Sequence, residues 1–303
     1  MKRKIVKQGA ATLTVSIPNS WVKKFQLRPG DELEVEERKN QLILMHSHEA
    51  EVSSQQVDIT DLDPLVSKIL CGIYRKGADE VKVVFGKPDL FNRYRKALNE
   101  YVGFEVTEQG KNYCVLREIV KTSGIEFENI FQRIFFLLKS CISDTIQAFK
   151  DQDFEVLKNM YYRDVDVNKL VNFCLRHINK VGYKDFEKNC AIYATIHQLE
   201  AVGDRLKEFA GKCSEENITV RAEYLEVLSV VNELFEAIHK VVQKSTVENA
   251  KNVAHIYDRL KPLLDKKLKQ TNNKKETIFV MHCKVLAETI ILISDINMGF
   301  LQT

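Results

Sequence analysis

Residues 127–145 read FENIFQRIFFLLKSCISDT and set Phe127, Ile130, Phe131, Ile134, Phe135, Leu138, Cys141, Ile142 and Thr145 three and four positions apart. That spacing draws an apolar stripe along one side of an α-helix, so the segment must bury one face. The same period continues toward the C-terminus. It predicts further helices at about 153–180, 185–211, 220–245, 247–269 and 276–300, with breaks at Asp151, Gly182, Gly211–Ser214 and Thr271-Asn272-Asn273. Six helices with short connections form a bundle and divide into two groups of three. The all-α part of the chain is expected to span residues 122–303.

Upstream, residues 51–121 alternate between the two periods. A strand near Val57–Ile59 precedes a helix from Asp63-Pro64 to Lys76-Gly77, and Glu80–Phe85 is a second strand. Pro88-Asp89 opens a helix to Tyr101, stopped by Gly103. Phe104–Thr107 and Tyr113–Val120 then make a hairpin around Gly110-Lys111. The order βαβαββ is a small α/β sandwich. It carries no glycine-rich phosphate loop and no nucleophile beside a candidate base, which argues against an enzyme.

Residues 1–50 are short strands. Lys4–Lys7 is followed by Gly9, and Thr12–Ile17 alternates with period two up to Pro18. Asn19 or Ser20 can cap a helix through Phe25, Leu27–Asp31 is a turn, and strands Glu32–Arg38 and Gln41–Met45 join at Lys39-Asn40. So small a unit buries too little apolar surface to stand alone, and dimerisation is the physical expectation.

Charge is distributed unevenly over that head. The whole chain has a net charge of only +3, with 45 basic and 42 acidic residues, too little to imply nucleic acid. Residues 1–28, however, hold Lys2, Arg3, Lys4, Lys7, Lys23, Lys24 and Arg28 and no acid, whereas Asp31, Glu32, Glu34, Glu36 and Glu37 follow. Several cations on one face are what phosphate contacts with DNA require. The seven cysteines are scattered, without a C-x-x-C pair, and read as small core residues in a reducing cytoplasm rather than a zinc or disulfide framework. No signal peptide is expected, and the apolar stretches carry charges short of a membrane span. The expected location is the cytoplasm, without membrane insertion.

Arg3-Lys4-Ile5-Val6-Lys7, Thr14-Val15-Ser16-Ile17-Pro18 and Leu27-Arg28-Pro29-Gly30-Asp31-Glu32-Leu33 resemble the swapped-hairpin DNA-binding domain of the AbrB/MazE/SpoVT family. The resemblance implies a homodimer through this domain, with double-stranded DNA held by Lys4, Lys7, Lys23 and Lys24, together with Arg3, Thr14 and Asn19. The helical body resembles a second family. Met160–Leu170 (MYYRDVDVNKL) and Leu199–Leu206 (LEAVGDRL) are similar to the repeat motifs of PhoU, the regulator of phosphate uptake. That resemblance implies two three-helix repeats and an E-x-x-x-D metal motif, matched by Glu200 and Asp204.

On a helix, Glu200, Asp204 and His197 fall together on the flank of the apolar stripe. With Asp164 or Asp166 from the neighbouring helix they could bind a divalent metal ion, or pair with Arg205 and Lys207. The second repeat departs from the motif, with Ile291 at the glutamate position ahead of Asp295. Glu236-Ala237-Ile238-His239 is the sole E-x-x-H, and its Glu236 lies opposite the apolar stripe, so a di-iron site is rejected. The expectation is a dimeric DNA-binding transcriptional regulator of phosphate homeostasis with a helical sensing domain. The alternative is a non-DNA adaptor that binds a phosphate-transporter ATPase or a signalling kinase.

Overall fold

A computed structural model of the chain describes residues 1–38, 40–46, 52–120 and 124–301. The chain divides into two compact units, Met1–Val52 and Ser53–Thr303.

In the first unit, β1 (Val6–Gln8) pairs antiparallel with β2 (Thr12–Thr14), with Val6 opposite Thr14. Helix α1 (Asn19–Lys24) follows, and β3 (Glu34–Arg38) pairs antiparallel with β4 (Gln41–Met45). Lys39, in the expected joint of that hairpin, lies outside the described residues. The ladder of the first hairpin ends at Thr14, three residues short of the expected strand, because the Val6–Gln8 strand offers no further partner. Neither Asn19 nor Ser20 caps α1. Pro18 is the N-cap, and its carbonyl accepts from the amides of Trp21 and Val22. The Leu27–Asp31 turn forms as read, with Gly30 at φ +99° and the Arg28 amide donating to Asp31 Oδ2 at 2.7 Å.

The two hairpins are separate two-stranded sheets, and none of the described residues in this unit is buried. Leu13 is 67% exposed and Leu42 62%, and Ile5, Val6, Val15 and Val35 are also open to solvent. Two-stranded hairpins are marginal in water, so a lone head lacks a core.

The second unit starts with a four-stranded sheet in the order β5-β6-β8-β7. Strand β5 (Ser54–Asp58) runs parallel to β6 (Glu80–Val84), as expected of a βαβ crossover through α2 (Val66–Lys76). Helix α3 (Pro88–Tyr94) continues into a 3₁₀ turn, Arg95–Glu100. Strands β7 (Phe104–Gln109) and β8 (Tyr113–Glu118) then form the terminal hairpin. This is the βαβαββ order. Helix α2 opens at Val66 rather than at Asp63-Pro64: residues 62–65 form a turn in which the Leu65 amide donates to the Leu62 carbonyl, and the Asp63 carboxylate pairs with Arg93 at 2.9 Å and with Tyr94. Ile59, Val83, Phe85, Phe91 and Tyr74 form the core of this layer.

The bundle follows. Helix α4 (Gly124–Asp151) packs on α6 (Met160–Lys180) and α7 (Asn189–Glu215), and the short α5 (Phe154–Lys158) opens off Asp153, which caps it. Helices α8 (Ala222–Gln243), α9 (Val247–Lys269) and α10 (Lys274–Asn297) form the second trio, with Thr246 and Asn273 capping α9 and α10. The trios meet through α7 against α10 and α4 against α8. One core runs through both, built on Phe131, Phe135, Phe209, Phe235 and Phe279.

Lys274–Phe300 is long and apolar enough, by length and composition, to cross a membrane, with a mean hydropathy of 1.7 over its most apolar 18 residues. Lys284 and Glu288 break its apolar run, which hides this in the sequence. In the fold, its Phe279, Cys283, Leu286 and Ile290 are fully buried against neighbouring helices. All seven cysteines are free thiols. Cys114, Cys141, Cys174, Cys213 and Cys283 are buried, and burial pushes the Cys114 and Cys213 thiols up to about 12.

Candidate functional site

The head's predicted DNA residues sit on its first hairpin and on α1. Arg3, Lys4 and Lys7 are exposed, with Lys7 inside β1 opposite Leu13. Thr14 is half-buried, and its hydroxyl donates to the Val6 carbonyl at 3.2 Å, so it ties the hairpin together. Asn19 is exposed at the first turn of α1. Lys23 and Lys24 occupy its last turn, where the helix dipole favours cations, and Lys24 lies 5.5 Å over the Phe25 ring. Arg3, Lys4, Lys7, Lys23 and Lys24 are open to solvent and offer basic groups to a polyanion.

In the second unit the proposed metal residues come to one face, but they divide into two ion-pair groups. Glu200 Oε1 accepts from Arg75 Nη2 at 2.6 Å, and its Oε2 lies 3.4 Å from His197 Nδ1. Asp164 Oδ2 and Asp204 Oδ1 each lie 2.7 Å from Lys207 Nζ. Arg205 pairs instead with Glu208 at 2.9 Å. Among the described residues, no group of three or more His, Cys, Asp or Glu side chains is gathered to hold a metal. As arranged, a divalent ion there would have to displace Arg75 and Lys207. In the rejected E-x-x-H, Glu236 pairs with Lys139 at 3.0 Å. His239 stacks on Phe135 at 4.3 Å, with a ring nitrogen 2.7 Å from Gln132 Oε1, so the two groups serve separate contacts.

Arg75 belongs to α2, and its reach to Glu200 exposes what the sequence reading missed, the seam between the α/β layer and the bundle. The two keep separate hydrophobic cores, and polar groups on one ridge of α6 join them. Asn172 Oδ1 accepts from Arg75 Nε at 2.7 Å and from the Cys71 thiol at 3.3 Å. Arg176 Nη1 donates to the carbonyls of Tyr74 and Ala78 at 2.9 and 2.8 Å, and its Nη2 lies 2.9 Å from Glu118. The guanidinium is sandwiched 4.9 Å from the Tyr74 ring centre and 4.8 Å from that of Phe104. Asn179 donates to the Arg75 carbonyl at 2.7 Å, and Lys180 reaches Asp79 at 2.5 Å and Glu118 at 2.7 Å. The available signal was a polar row at 172, 176 and 179–180, spaced by helical turns within an otherwise apolar run.

These pairs predict an acid-labile seam. Burial works to raise the Glu200 pKa, but hydrogen bonds from His197 and Arg75 outweigh it and hold the carboxyl below its ordinary value. Asp79 behaves alike, with burial outweighed by Lys180 and the Ser53 amide. A folded pKa below the unfolded one contributes stability that is present above about pH 4 and lost as pH falls through the folded value. The unfolding free energy of Glu200→Gln and Asp79→Asn should therefore fall less steeply than wild type between about pH 5 and pH 2. Parallel slopes in urea titrations across that range would show that neither pair matters.

The model of the family described as antidote-toxin recognition MazE, bacterial antitoxin, matches residues 6–50. The head is thus a MazE-type domain, as the motifs around Ile17-Pro18 and Pro29-Gly30-Asp31 led one to expect. The chain is also similar to the phosphate transport system regulatory protein PhoU from Streptococcus pneumoniae, at 16% identity and a TM-score of 0.45. That likeness covers 57% of this chain and 91% of that one. PhoU from Pseudomonas aeruginosa is similar at 15% identity and a TM-score of 0.38, over 56% of this chain and 96% of that one. No curated protein matches the chain's sequence.

Proposed function

We propose that this chain is a dimeric, non-catalytic DNA-binding transcriptional regulator whose helical body receives a signal concerned with phosphate. The observation that carries the reading is the head itself: exposed cations over an acid-free stretch, residues 1–28, on a MazE-type unit in which none of the described residues is buried. Phosphate contacts by such cations supply salt-dependent affinity for duplex DNA. The phosphate signal rests on the resemblance of Met160–Leu170 and Leu199–Leu206 to PhoU repeat motifs.

The missing core of the head is supplied by a second copy, because strand faces bearing Leu13, Val35 and Leu42 remain to be covered. Leu13→Glu together with Leu42→Glu should convert the full chain from dimer to monomer in sedimentation velocity, and a persistent dimer would place the contact elsewhere. The functional test is a fluorescence-anisotropy titration with duplex DNA from the chain's own promoter at several salt concentrations. Tight binding that weakens steeply with salt supports the regulator. Binding no stronger than that of an unrelated basic protein would move the assignment to the adaptor of a transporter ATPase or kinase.

A further inference from the structure

Beside the seam lies a cavity of about 210 Å³, reached by Arg176, His177 and Lys180 from α6 and by Tyr74 and Glu118 from the α/β layer. Its nitrogen groups carry unspent hydrogen-bonding capacity. His177 is only 7% exposed, and its ring stacks on Phe127 at 4.9 Å. Among the described residues no hydrogen bond or ion pair engages either ring nitrogen. Burial holds this imidazole below its ordinary pKa, so it is neutral and has one N–H to give.

Arg176 is 3% exposed. Its Nη2 faces Glu118 Oε2 at 2.9 Å, yet makes no aligned hydrogen bond. Lys180 has three donors, and Asp79 and Glu118 take two of them. Among the described residues Glu118 is the one carboxylate on the wall, Asp79 lies behind it against Lys180 and 3.7 Å from Arg176 Nη2, and Val102, Phe173 and Val181 make the remainder apolar. Of the nitrogen groups Arg176 Nη2 is fully buried, and a buried donor left without an acceptor costs about 1–3 kcal/mol; with the His177 N–H and the solvent-facing Lys180 ammonium beside it, the wall points to a ligand that brings oxygen acceptors.

We propose that this cavity binds a small organic carboxylate, its oxygens accepting from His177, Lys180 and Arg176 and its short apolar body lying against Val102, Phe173 and Val181. The carboxylate of Glu118, already held between Arg176 and Lys180, shows the chemistry that the pair accepts. A cavity of this size holds about seven water-sized groups, which fits a body of a few carbons. The ligand spans α6 and the α/β layer, so binding strengthens their docking by mass action. The assignment does not depend on DNA binding by the head.

The test titrates the full chain with sodium butyrate and, separately, with sodium phosphate at matched ionic strength, reading heat of binding and thermal midpoint. Butyrate should raise the midpoint saturably at millimolar concentration, more than phosphate does, and should move the imidazole resonances of His177. His177→Phe, which keeps the ring stack, and Lys180→Gln, at the half-exposed mouth, should each weaken butyrate at least tenfold. Lys180→Gln alone suffices if His177→Phe unfolds. A phosphate response larger than the butyrate response would overturn the apolar-body assignment. No saturable binding of either anion, or binding unchanged in both variants, would overturn the site.

Discussion

Alanine at Lys4, Lys7, Lys23 and Lys24 together should lower the affinity of the chain for duplex DNA by about a thousandfold or more at 0.1 M salt. Each lysine that neutralises a phosphate releases about 0.9 of a counterion, worth close to tenfold at that salt concentration. A dimer presents the set twice, so half of the set touching phosphate already gives the loss. The slope of log affinity against log salt should become shallower by about 0.9 for every contact removed. The fold should survive, because all four side chains are exposed and no described residue of this unit is buried, and such surface changes usually stay within about 0.5 kcal/mol. An unchanged circular dichroism spectrum and sedimentation coefficient would show this. Lys266→Ala with Lys269→Ala, on the exposed side of α9, removes the same kind of charge elsewhere and should leave both affinity and slope alone. An unaltered salt slope in the fourfold variant would remove DNA binding from these residues.

How much of this was legible depends on which interaction each residue answers to. The bundle could be read because helix period and burial are one signal. Phe127, Phe131, Phe135 and Leu138 repeat along the chain and all enter the core. The α/β order could be read because alternating strands and helices are separated by glycine and proline punctuation, as at Gly77 and Pro88. Strand Thr12–Ile17 was overestimated for a physical reason. Alternation records which residues face an apolar partner, whereas the ladder records hydrogen bonds within the chain, and these stop at Thr14. The cap of α1 was misassigned because Pro18 fixes its own φ and supplies the carbonyl, which leaves Asn19 one position inside the helix.

The carboxylate face illustrates the harder limit. Helical geometry puts Glu200, Asp204 and His197 on a flank of α7, and Lys207 was among the expected ion-pair partners. No rule of spacing could supply Arg75, which is 125 positions from Glu200 and arrives only when α2 docks on α6. The same holds for Arg176, whose partners Tyr74, Ala78 and Glu118 all belong to the other layer. Tertiary ion pairs have no period, so they are invisible until the two layers meet.

Arg176→Met should destabilise the second unit by about 3–5 kcal/mol, the cost of breaking a buried ion pair by removing one partner. The Arg176 side chain is 4% exposed and that of Glu118 11%, so water reaches neither freely. Methionine fills the volume but abandons the carbonyls of Tyr74 and Ala78 and the sandwich between Tyr74 and Phe104. Lys180 still neutralises Glu118, which places the expected loss toward the lower end of that range. Arg176→Lys should rescue only partly, since an ammonium cannot serve two carbonyls and a carboxylate while stacking between rings. Adding Glu118→Gln to Arg176→Met should recover part of the loss, because it removes a carboxylate that has lost one of its two cations. That non-additivity is the mark of a direct pair. Urea unfolding followed by far-ultraviolet circular dichroism measures all three variants. Because the layer and the bundle keep separate hydrophobic cores, the methionine variant should also unfold in two steps, the α/β layer first. A single unchanged transition would mean that apolar packing, rather than this guanidinium, fixes the layer to the bundle.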